Sequence, residues 1–289
     1  MMEKQFSPIS MRDLLEGNVQ LASPPEIFLK IIQTLDDPTK NMLDVSRLIE
    51  HDPGLSARLL RIVNSALYRS PSKISSITQA VSIIGIQELR DLVLATLVVE
   101  RFSSLSSGLM TMRQFWMLSV RCALIARSLA AHHPESKRFG SIFTCGLLHD
   151  IGRLVNYHRI PELSRAALLR AKSEGMTEHQ AQREVMGFDH YQVGAELARR
   201  WRLPEVTVAT IEHHDTPEKA GLFSQEALLV VLASELSMLD WSDRELLDRL
   251  LPADAPIWQQ ISMERDVLDE VLPAAEIAFG EVFRHIYGN

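Results

Sequence analysis

The chain has 289 residues, a hydrophobic content of 46% and a formal net charge of −7. This composition predicts a globular protein of one large domain or two ordinary ones. No apolar run reaches the ~18 residues that a membrane span requires, so the sequence argues against a membrane protein. The N-terminal segment MMEKQFSPISMRDLLEG lacks the apolar stretch of a signal peptide, which predicts a cytoplasmic location.

The negative charge is concentrated at the C-terminal end. Residues 1–110 carry 11 Lys and Arg against 12 Asp and Glu, and residues 111–240 carry 15 of each. Residues 241–289 carry 4 against 10. Proteins that bind nucleic acid present several cations along one face. The neutral body and acidic tail therefore argue against nucleic acid as a partner.

Helical periodicity runs through almost the whole chain, and no alternating pattern typical of a strand is convincing. In the first third, helices are predicted for EIFLKIIQTLDD, GLSARLLRIVNSALY, ITQAVSIIG and IQELRDLVLATLVV. Asp52 and Pro53 form a helix start, because Asp can cap free amides and Pro fits the first turn. Ser75 or Ser76 can cap the helix that Gly85 ends.

A Ser- and Gly-rich segment, FSSLSSGLMTM at 102–112, predicts a joint between two lobes. Helical patterns then resume in RQFWMLSVRCALIARSLA, SIFTCGLLHD, PELSRAALLRAKSEG, HYQVGAELARRWRLP, EVTVATIEHH and SQEALLVVLASELSML. Two more helices are predicted at roughly 256–271 and 274–286. We predict an N-terminal helical lobe at 1–110, a second helical lobe at 111–240 and acidic C-terminal helices at 241–289.

Histidines at the ends of predicted helices are the candidate functional residues. They are His149, which is followed by Asp150, and His190, His213 and His214. Helix ends converge on clefts, and imidazoles with a carboxylate are ligands that Zn, Fe, Mn or Ni accept. Each histidine alone could equally be a capping or core residue. The sequence therefore predicts either a metal site or a group of buried, hydrogen-bonded side chains.

From about residue 18 to residue 236 the order of motifs resembles the HDOD domain, the HD-related output domain of bacterial signalling proteins. The motifs include LASPPEI, Asp37–Pro38, Asp52–Pro53, Asn64–Ser65, Ile84–Gly85, Phe115–Trp116, GLLHDIG, Glu184, Gly187, His190, Gly194, Trp201, Pro204 and His213–His214. The segment DPGLSARLLRIVNSALY is specific, since plain HD phosphohydrolases lack the lobe that contains it. The resemblance implies an all-α, two-lobed helical HD-like fold, here followed by an extra C-terminal helical segment.

The resemblance also implies a metal site, from which this chain departs. In the enzymatic relatives, the HD and HD-GYP phosphohydrolases, an H…HD…D quartet holds one metal, and its HD aspartate bridges to a second. The first histidine corresponds to Leu118 and the last aspartate to Ser234. The lysine that follows HDxG in HD-GYP enzymes corresponds to Arg153, and DTPEKAG replaces the GYP segment. The first metal position therefore keeps two ligands of four.

Nearby carboxylates do not replace the missing aspartate. Glu235 and Asp240 lie about 100° and 240° around the helix from position 234. Asp150, His190, His213 and His214 remain, and they could form a lone metal site of three imidazoles and a carboxylate. Alternatively, these residues hydrogen-bond one another and seal the seam between helices. We expect no cofactor, with a single divalent transition metal (Zn, Fe, Mn or Ni) as the alternative.

A broken metal quartet within a complete helical scaffold predicts a non-catalytic regulatory module that binds a signalling protein. The alternative is a metal-dependent phosphohydrolase of HD or HD-GYP type acting on a nucleotide or cyclic dinucleotide. Asn64 and Ser65 are predicted to hydrogen-bond between the lobes or, alternatively, to contact a partner or small ligand. The acidic C-terminal helices could cap the domain, mediate homo-oligomer formation or form a solvated flank.

Overall fold

The structure, a computed structural model, describes residues 10–16, 24–68, 72–103, 108–241 and 243–287. Within these ranges every regular element is a helix, which confirms the predicted all-α class. Two parts of the sequence discussed above lie outside the described residues. They are residues 1–9 of the N-terminal segment and residues 104–107 of the predicted joint between the lobes.

The described residues of the first lobe form six helices. They are α1 (Met11–Glu16), α2 (Glu26–Asp36), α3 (Met42–Glu50), α4 (Pro53–Val63), α5 (Ile77–Ile84) and α6 (Ile86–Ser103). The Asp52 side chain accepts a hydrogen bond from the Leu55 amide, and Ser76 caps α5 in the same way. Gly85 ends α5 with a φ of 85°, a conformation that favours glycine. These predicted helix boundaries are confirmed.

Asn64 and Ser65 form the turn that ends α4 earlier than predicted. The Asn64 amide donates to the carbonyls of Leu60 (2.7 Å) and Ile74 (2.8 Å), and its oxygen accepts from the Ile74 amide (2.8 Å). Ser65 is buried, and its hydroxyl donates to the Ile62 carbonyl at 2.5 Å. These bonds lie within the first lobe, which corrects the prediction that the pair joins the two lobes. Contact with a partner remains a prediction for the exposed Asn64.

The second lobe contains eight helices. They are α7 (Met112–His132), α8 (Ile142–Leu148), α9 (Ile151–Arg159), α10 (Pro161–Glu174), α11 (Glu178–Met186), α12 (His190–Arg200), α13 (Glu205–Glu212) and α14 (Ser224–Ser237). Helix α7 lies at the centre and packs against α8 and α14. Both tryptophans of this lobe, Trp116 and Trp201, are fully buried, and Cys122 and Cys145 are buried free thiols. Helices α9 and α11, like α1 and α3 of the first lobe, lie in segments for which no helix was predicted.

The C-terminal region forms α15 (Arg244–Leu250), α16 (Pro256–Gln260) and α17 (Leu268–Tyr287). The prediction of one helix across 256–271 was wrong, because α16 ends at Gln260 and a short 3₁₀ turn at Arg265–Val267 precedes α17. Helix α17 packs against α4, α6 and α7, and so touches both lobes. The Glu281 carboxylate on α17 accepts a hydrogen bond from the Ala66 amide at 3.1 Å. Of the three predicted roles, this packing fits a cap on the domain.

One helical stretch of the described residues, Pro217–Ser237, is long and apolar enough to cross a membrane by composition alone. Glu226 and Glu235 interrupt its apolar residues, so it does not stand out in the sequence as an apolar run. Half of its most apolar window is buried inside the protein. Its second part, α14, packs against α7, α8 and α13, as expected for a core helix of the second lobe.

Candidate functional site

Four helix ends and one helix face meet at a cavity of about 430 Å³. His149 ends α8, Asp150 lies between α8 and α9, and His190 begins α12. His214 follows α13 and Ser234 lies on α14. All five side chains line the cavity. The fold therefore brings together four of the five residues predicted for the metal site.

The fifth predicted residue, His213, lies elsewhere. It lines a separate surface groove with Arg199 and Lys219. His213 is the C-cap of α13, and consecutive residues at a helix end point about 100° apart. In this structure His214 faces the cavity and His213 does not, so His213 is not brought together with the other four residues.

The residues at the two substituted positions lie where the resemblance placed them. Leu118 and Ser234 both line the cavity beside His149. The Ser234 hydroxyl lies 3.0 Å from His149 Nε2, and His149 Nδ1 lies 2.8 Å from the Gly146 carbonyl oxygen. A carbonyl can only accept, so Nδ1 carries the proton and Nε2 of the neutral ring accepts from Ser234. Both nitrogens of His149 thus have partners within the protein.

A guanidinium group pairs with the aspartate of the HD motif. Arg153 Nη1 lies 2.5 Å from Asp150 Oδ2, and Arg153 Nε lies 3.2 Å from a carboxylate oxygen of Glu178. Arg153 and Asp150 are three residues apart across the start of α9, so they meet on one side of the helix. A fixed positive charge therefore stands beside the Asp150 carboxylate.

The pair is part of a closed ring of polar contacts. The Glu178 carboxylate also accepts hydrogen bonds from Tyr157 (2.9 Å) and from the Gln182 amide (2.8 Å). The Gln182 oxygen in turn accepts from the backbone amide of His190 (2.9 Å) and from its Nδ1–H (2.7 Å).

The ring closes where His190 Nε2 lies 3.3 Å from Asp150 Oδ1. Gln182 thereby fixes the proton of His190 on Nδ1 and leaves Nε2 as an acceptor. Two acceptors thus face each other where the ring closes.

Burial sets the ionisation of the site. It lowers the pKa of His214 to about 3 and lowers the pKa of His190 and of His149. Burial would raise the pKa of Asp150, but Arg153 and the neighbouring imidazoles outweigh that effect and lower it to about 2. At neutral pH the site therefore holds an ionised aspartate paired with arginine and three neutral imidazoles.

Four buried atoms of the site have no hydrogen-bond partner among the residues that the structure describes. They are Asp150 Oδ1, Arg153 Nε, His190 Nε2 and His214 Nδ1. Arg153 Nε keeps its ion pair with Glu178, so the other three atoms have no polar partner that completes them. Buried polar groups are normally satisfied, because leaving one unpaired costs about 1–3 kcal/mol. These atoms mark the point at which the protein alone does not complete the network.

The site does not fit the two-metal centre of the HD enzymes. Asp150 Oδ2 is paired with Arg153, both nitrogens of His149 are hydrogen-bonded, and Leu118 supplies no ligand atom. In the described ranges, no group of three or more His, Cys, Asp or Glu residues is arranged to hold a metal ion. We therefore derive no chemistry through a metal.

Sequence reasoning missed the residues that complete this site. Glu178, Gln182 and Tyr191 all come from α11 and the start of α12, and none stood out by spacing. Glu184, which belongs to the motif set, is instead exposed and pairs with Arg170 at 2.5 Å. The only available signal was Arg153, three residues after Asp150, whose pairing follows from helical geometry.

Acid is expected to destabilise the fold through His214. Below pH 6.5 the unfolded chain binds a proton that the folded imidazole does not bind until about pH 3. The free energy of unfolding therefore decreases as the pH falls below 6.5, and His214 alone accounts for a loss of about 2 kcal/mol at about pH 5. Asp150 acts only at lower pH, because its contribution is present above 3.8 and is lost as the pH falls through about 2.

Urea unfolding at neutral pH and at about pH 5 measures this loss. A His214→Gln variant should lose less stability between the two pH values than the wild type. A His213→Ala variant serves as the control and should keep the full loss. An equal loss in the His214→Gln variant would show that His214 is not the group responsible.

The comparison with protein families matches residues 21–217 to the HDOD domain. The chain belongs to the HDOD family. An uncharacterised protein of Treponema pallidum (strain Nichols) is 29% identical over 218 residues, which cover 72% of this chain. The chain spans only 40% of the length of that curated relative.

Solved structures share this HDOD fold. An HDOD domain protein of unknown function from Geobacter sulfurreducens is 25% identical, with a TM-score of 0.74 over 95% of this chain and 96% of that one. A candidate phosphohydrolase from Shewanella amazonensis SB2B is 25% identical, with a TM-score of 0.69 over 96% and 98%. A candidate signal transduction protein from Marinobacter aquaeolei VT8 is 20% identical, with a TM-score of 0.67 over 95% and 65%. This third likeness bears on the fold alone.

Proposed function

We propose that this HDOD protein is a non-catalytic regulatory module that acts in the cytoplasm by binding a signalling protein. The observation that supports this proposal is the use of the HD pair inside the fold. His149 bonds to Gly146 and Ser234, and Asp150 pairs with Arg153. Groups that hydrolytic relatives use for metals are here bonded to other groups of the protein itself.

The electrostatics of the cavity support the same proposal. A phosphohydrolase must neutralise the charge of a phosphate, for which metals or several cations are required. Here the only arginine or lysine among the cavity-lining residues is Arg153, and it is paired with Asp150 and Glu178. Four carboxylates also line the cavity: Asp150, Glu178, Asp215 and Glu235. A phosphate ester would meet repulsion rather than activation.

Replacing His149 and Asp150 together with asparagine is expected to leave partner binding intact. The substitutions keep polar side chains but remove any imidazole–carboxylate pair that could serve a metal. They should lower stability, because Arg153 then keeps only Glu178 as a charged partner, so binding is measured at a temperature at which the variant is folded. The protein partner is captured from the native cytoplasm with the tagged full chain and identified by mass spectrometry. The affinity of wild type and variant for that purified partner is then compared.

Two outcomes would contradict the proposal. One is loss of partner binding in the variant without loss of thermal stability. The other is release of phosphate or a linear product from a nucleotide or cyclic dinucleotide by the wild type, with a stoichiometric metal and no activity in the variant. The second outcome would establish a metal-dependent phosphohydrolase.

A further inference from the structure

The cavity beside the HD motif has two acceptor atoms that face each other with no donor between them. Asp150 Oδ1 lies 3.3 Å from His190 Nε2, and both atoms are buried. A carboxylate oxygen can only accept. Nε2 of the neutral His190 ring can also only accept, because the ring proton is on Nδ1, which donates a hydrogen bond to the Gln182 oxygen. An N–H group placed beside both atoms would satisfy them together.

A third buried atom without a partner belongs to a residue that lines the same cavity. His214 lines the cavity, and its Nδ1 is buried without a partner among the described residues. The ring of Tyr191 lies 4.1 Å from that of His190 and 5.1 Å from that of His214, measured between centroids. An aromatic face beside clustered acceptors is a setting that favours a positively charged group.

Most of the charged side chains around the cavity are acidic. Among the described residues that line it, Asp150, Glu178, Asp215 and Glu235 carry carboxylates, and Arg153 is the only Lys or Arg. Arg183, outside the lining, pairs with Asp215 at 2.9 Å. The cavity therefore keeps an excess of carboxylates, and Glu235 is exposed where it opens to solvent.

Apolar side chains form much of the cavity wall. Phe115 and Leu118 lie on α7, Val231 lies on α14, and Met238 follows α14. The hydroxyl groups of Ser119, Ser234 and Ser237 lie among them. A ligand with polar ends and an aliphatic middle would match this combination of carboxylates and hydrocarbon surface.

We propose that this cavity binds a short aliphatic diamine or a related primary ammonium compound. One ammonium group donates hydrogen bonds to Asp150 Oδ1, His190 Nε2 and His214 Nδ1, and the hydrocarbon chain lies against Phe115 and Leu118. The second ammonium group lies near Glu235. Binding requires no partner, whereas its role as the input of the module rests on the proposed regulatory function.

Isothermal titration calorimetry of the full chain with 1,4-diaminobutane, in buffer containing EDTA, tests the proposal. Binding of one diamine per chain is expected. Tetramethylammonium carries the same sign of charge but has no N–H, and adipate is a dianion of comparable length, so neither should bind. This measurement contains no partner protein, so its failure leaves the proposed regulatory function standing.

Two matched pairs of variants locate the site. His214→Ala should weaken binding about tenfold or more, as expected for a lost hydrogen bond to a charged group, while His213→Ala should not. Glu235→Gln should weaken binding about threefold, as for an exposed ion pair, while Asp240→Asn should not. The second pair keeps the test valid if His214→Ala does not fold.

Three results would overturn the proposal. The diamine gives no heat of binding, or tetramethylammonium binds as tightly as the diamine. In the third, neither His214→Ala nor Glu235→Gln changes the affinity for the diamine. Saturable binding of Zn²⁺ or Mn²⁺ at His214 without EDTA, with no binding of amines, would assign the acceptors to a metal instead.

Discussion

Replacing Gly152 with alanine is expected to prevent stable folding. A Cβ atom at this position would lie 1.9 Å from the His190 carbonyl oxygen and 2.5 Å from the Gly194 amide nitrogen. Both are backbone atoms of α12, so they cannot move without shifting the whole helix against α9. We expect the free energy of unfolding to fall by more than about 4 kcal/mol, since backbone atoms cannot move aside to relieve the overlap as a flexible side chain can. Soluble yield and the urea midpoint measure the effect.

Gly280→Ala is the matched control. Gly280 lies inside α17, and a Cβ there meets nothing within 4 Å. Alanine in a helix interior is more favourable than glycine by about 0.5–1 kcal/mol, so this variant should be as stable as the wild type or slightly more stable. A Gly152→Ala protein with a wild-type midpoint would contradict the close packing of α9 on α12.

Replacing Asp150 with alanine is expected to cost about 3–5 kcal/mol, the loss seen when one partner of a buried ion pair is removed. The side chains of Asp150 and Arg153 are 11% and 23% exposed, so water relieves little of the penalty. Without Asp150 the guanidinium keeps only Glu178. Chemical denaturation of the purified variant at pH 7 measures the cost.

A double variant separates the loss of the pair from the cost of an unpaired charge. Adding Arg153→Met to Asp150→Ala should recover part of the stability, because no uncompensated guanidinium is then buried. Ser234→Ala, which removes one hydrogen bond to His149, should cost only about 1 kcal/mol. If Asp150→Ala is no more destabilising than Ser234→Ala, Asp150 and Arg153 are not a buried pair in solution.

Local sequence signals predicted most of the helices. Asp52, Ser76 and Gly85 act at helix ends through contacts with residues a few positions away, which is why their roles could be read from the sequence. The helix boundaries of the C-terminal region, residues 241–289, were harder to predict. Pro273 is the sixth residue of α17 and lies inside the helix, so it does not mark a boundary between two helices.

The candidate site could be predicted only where a motif carries the information. The resemblance to the HDOD family placed Leu118 and Ser234 beside His149, and the structure confirms that position. The contact of Gln182 with His190 depends on how α11 packs at the start of α12. The hydrophobic periodicity of the sequence does not determine that packing. His213 and His214 could not be told apart, since the direction of each depends on the local turn after α13.

Helix α17 restricts the motions by which this protein can transmit a signal. It contacts α4 and α6 of one lobe and α7 of the other through buried apolar side chains. Hinge opening between the lobes would have to expose that apolar face to water, at a cost that grows with the area uncovered. The two lobes are therefore expected to move as one rigid body. A ligand in the cavity would then act on a bound protein through small displacements of the residues at the cavity opening, which that protein could contact.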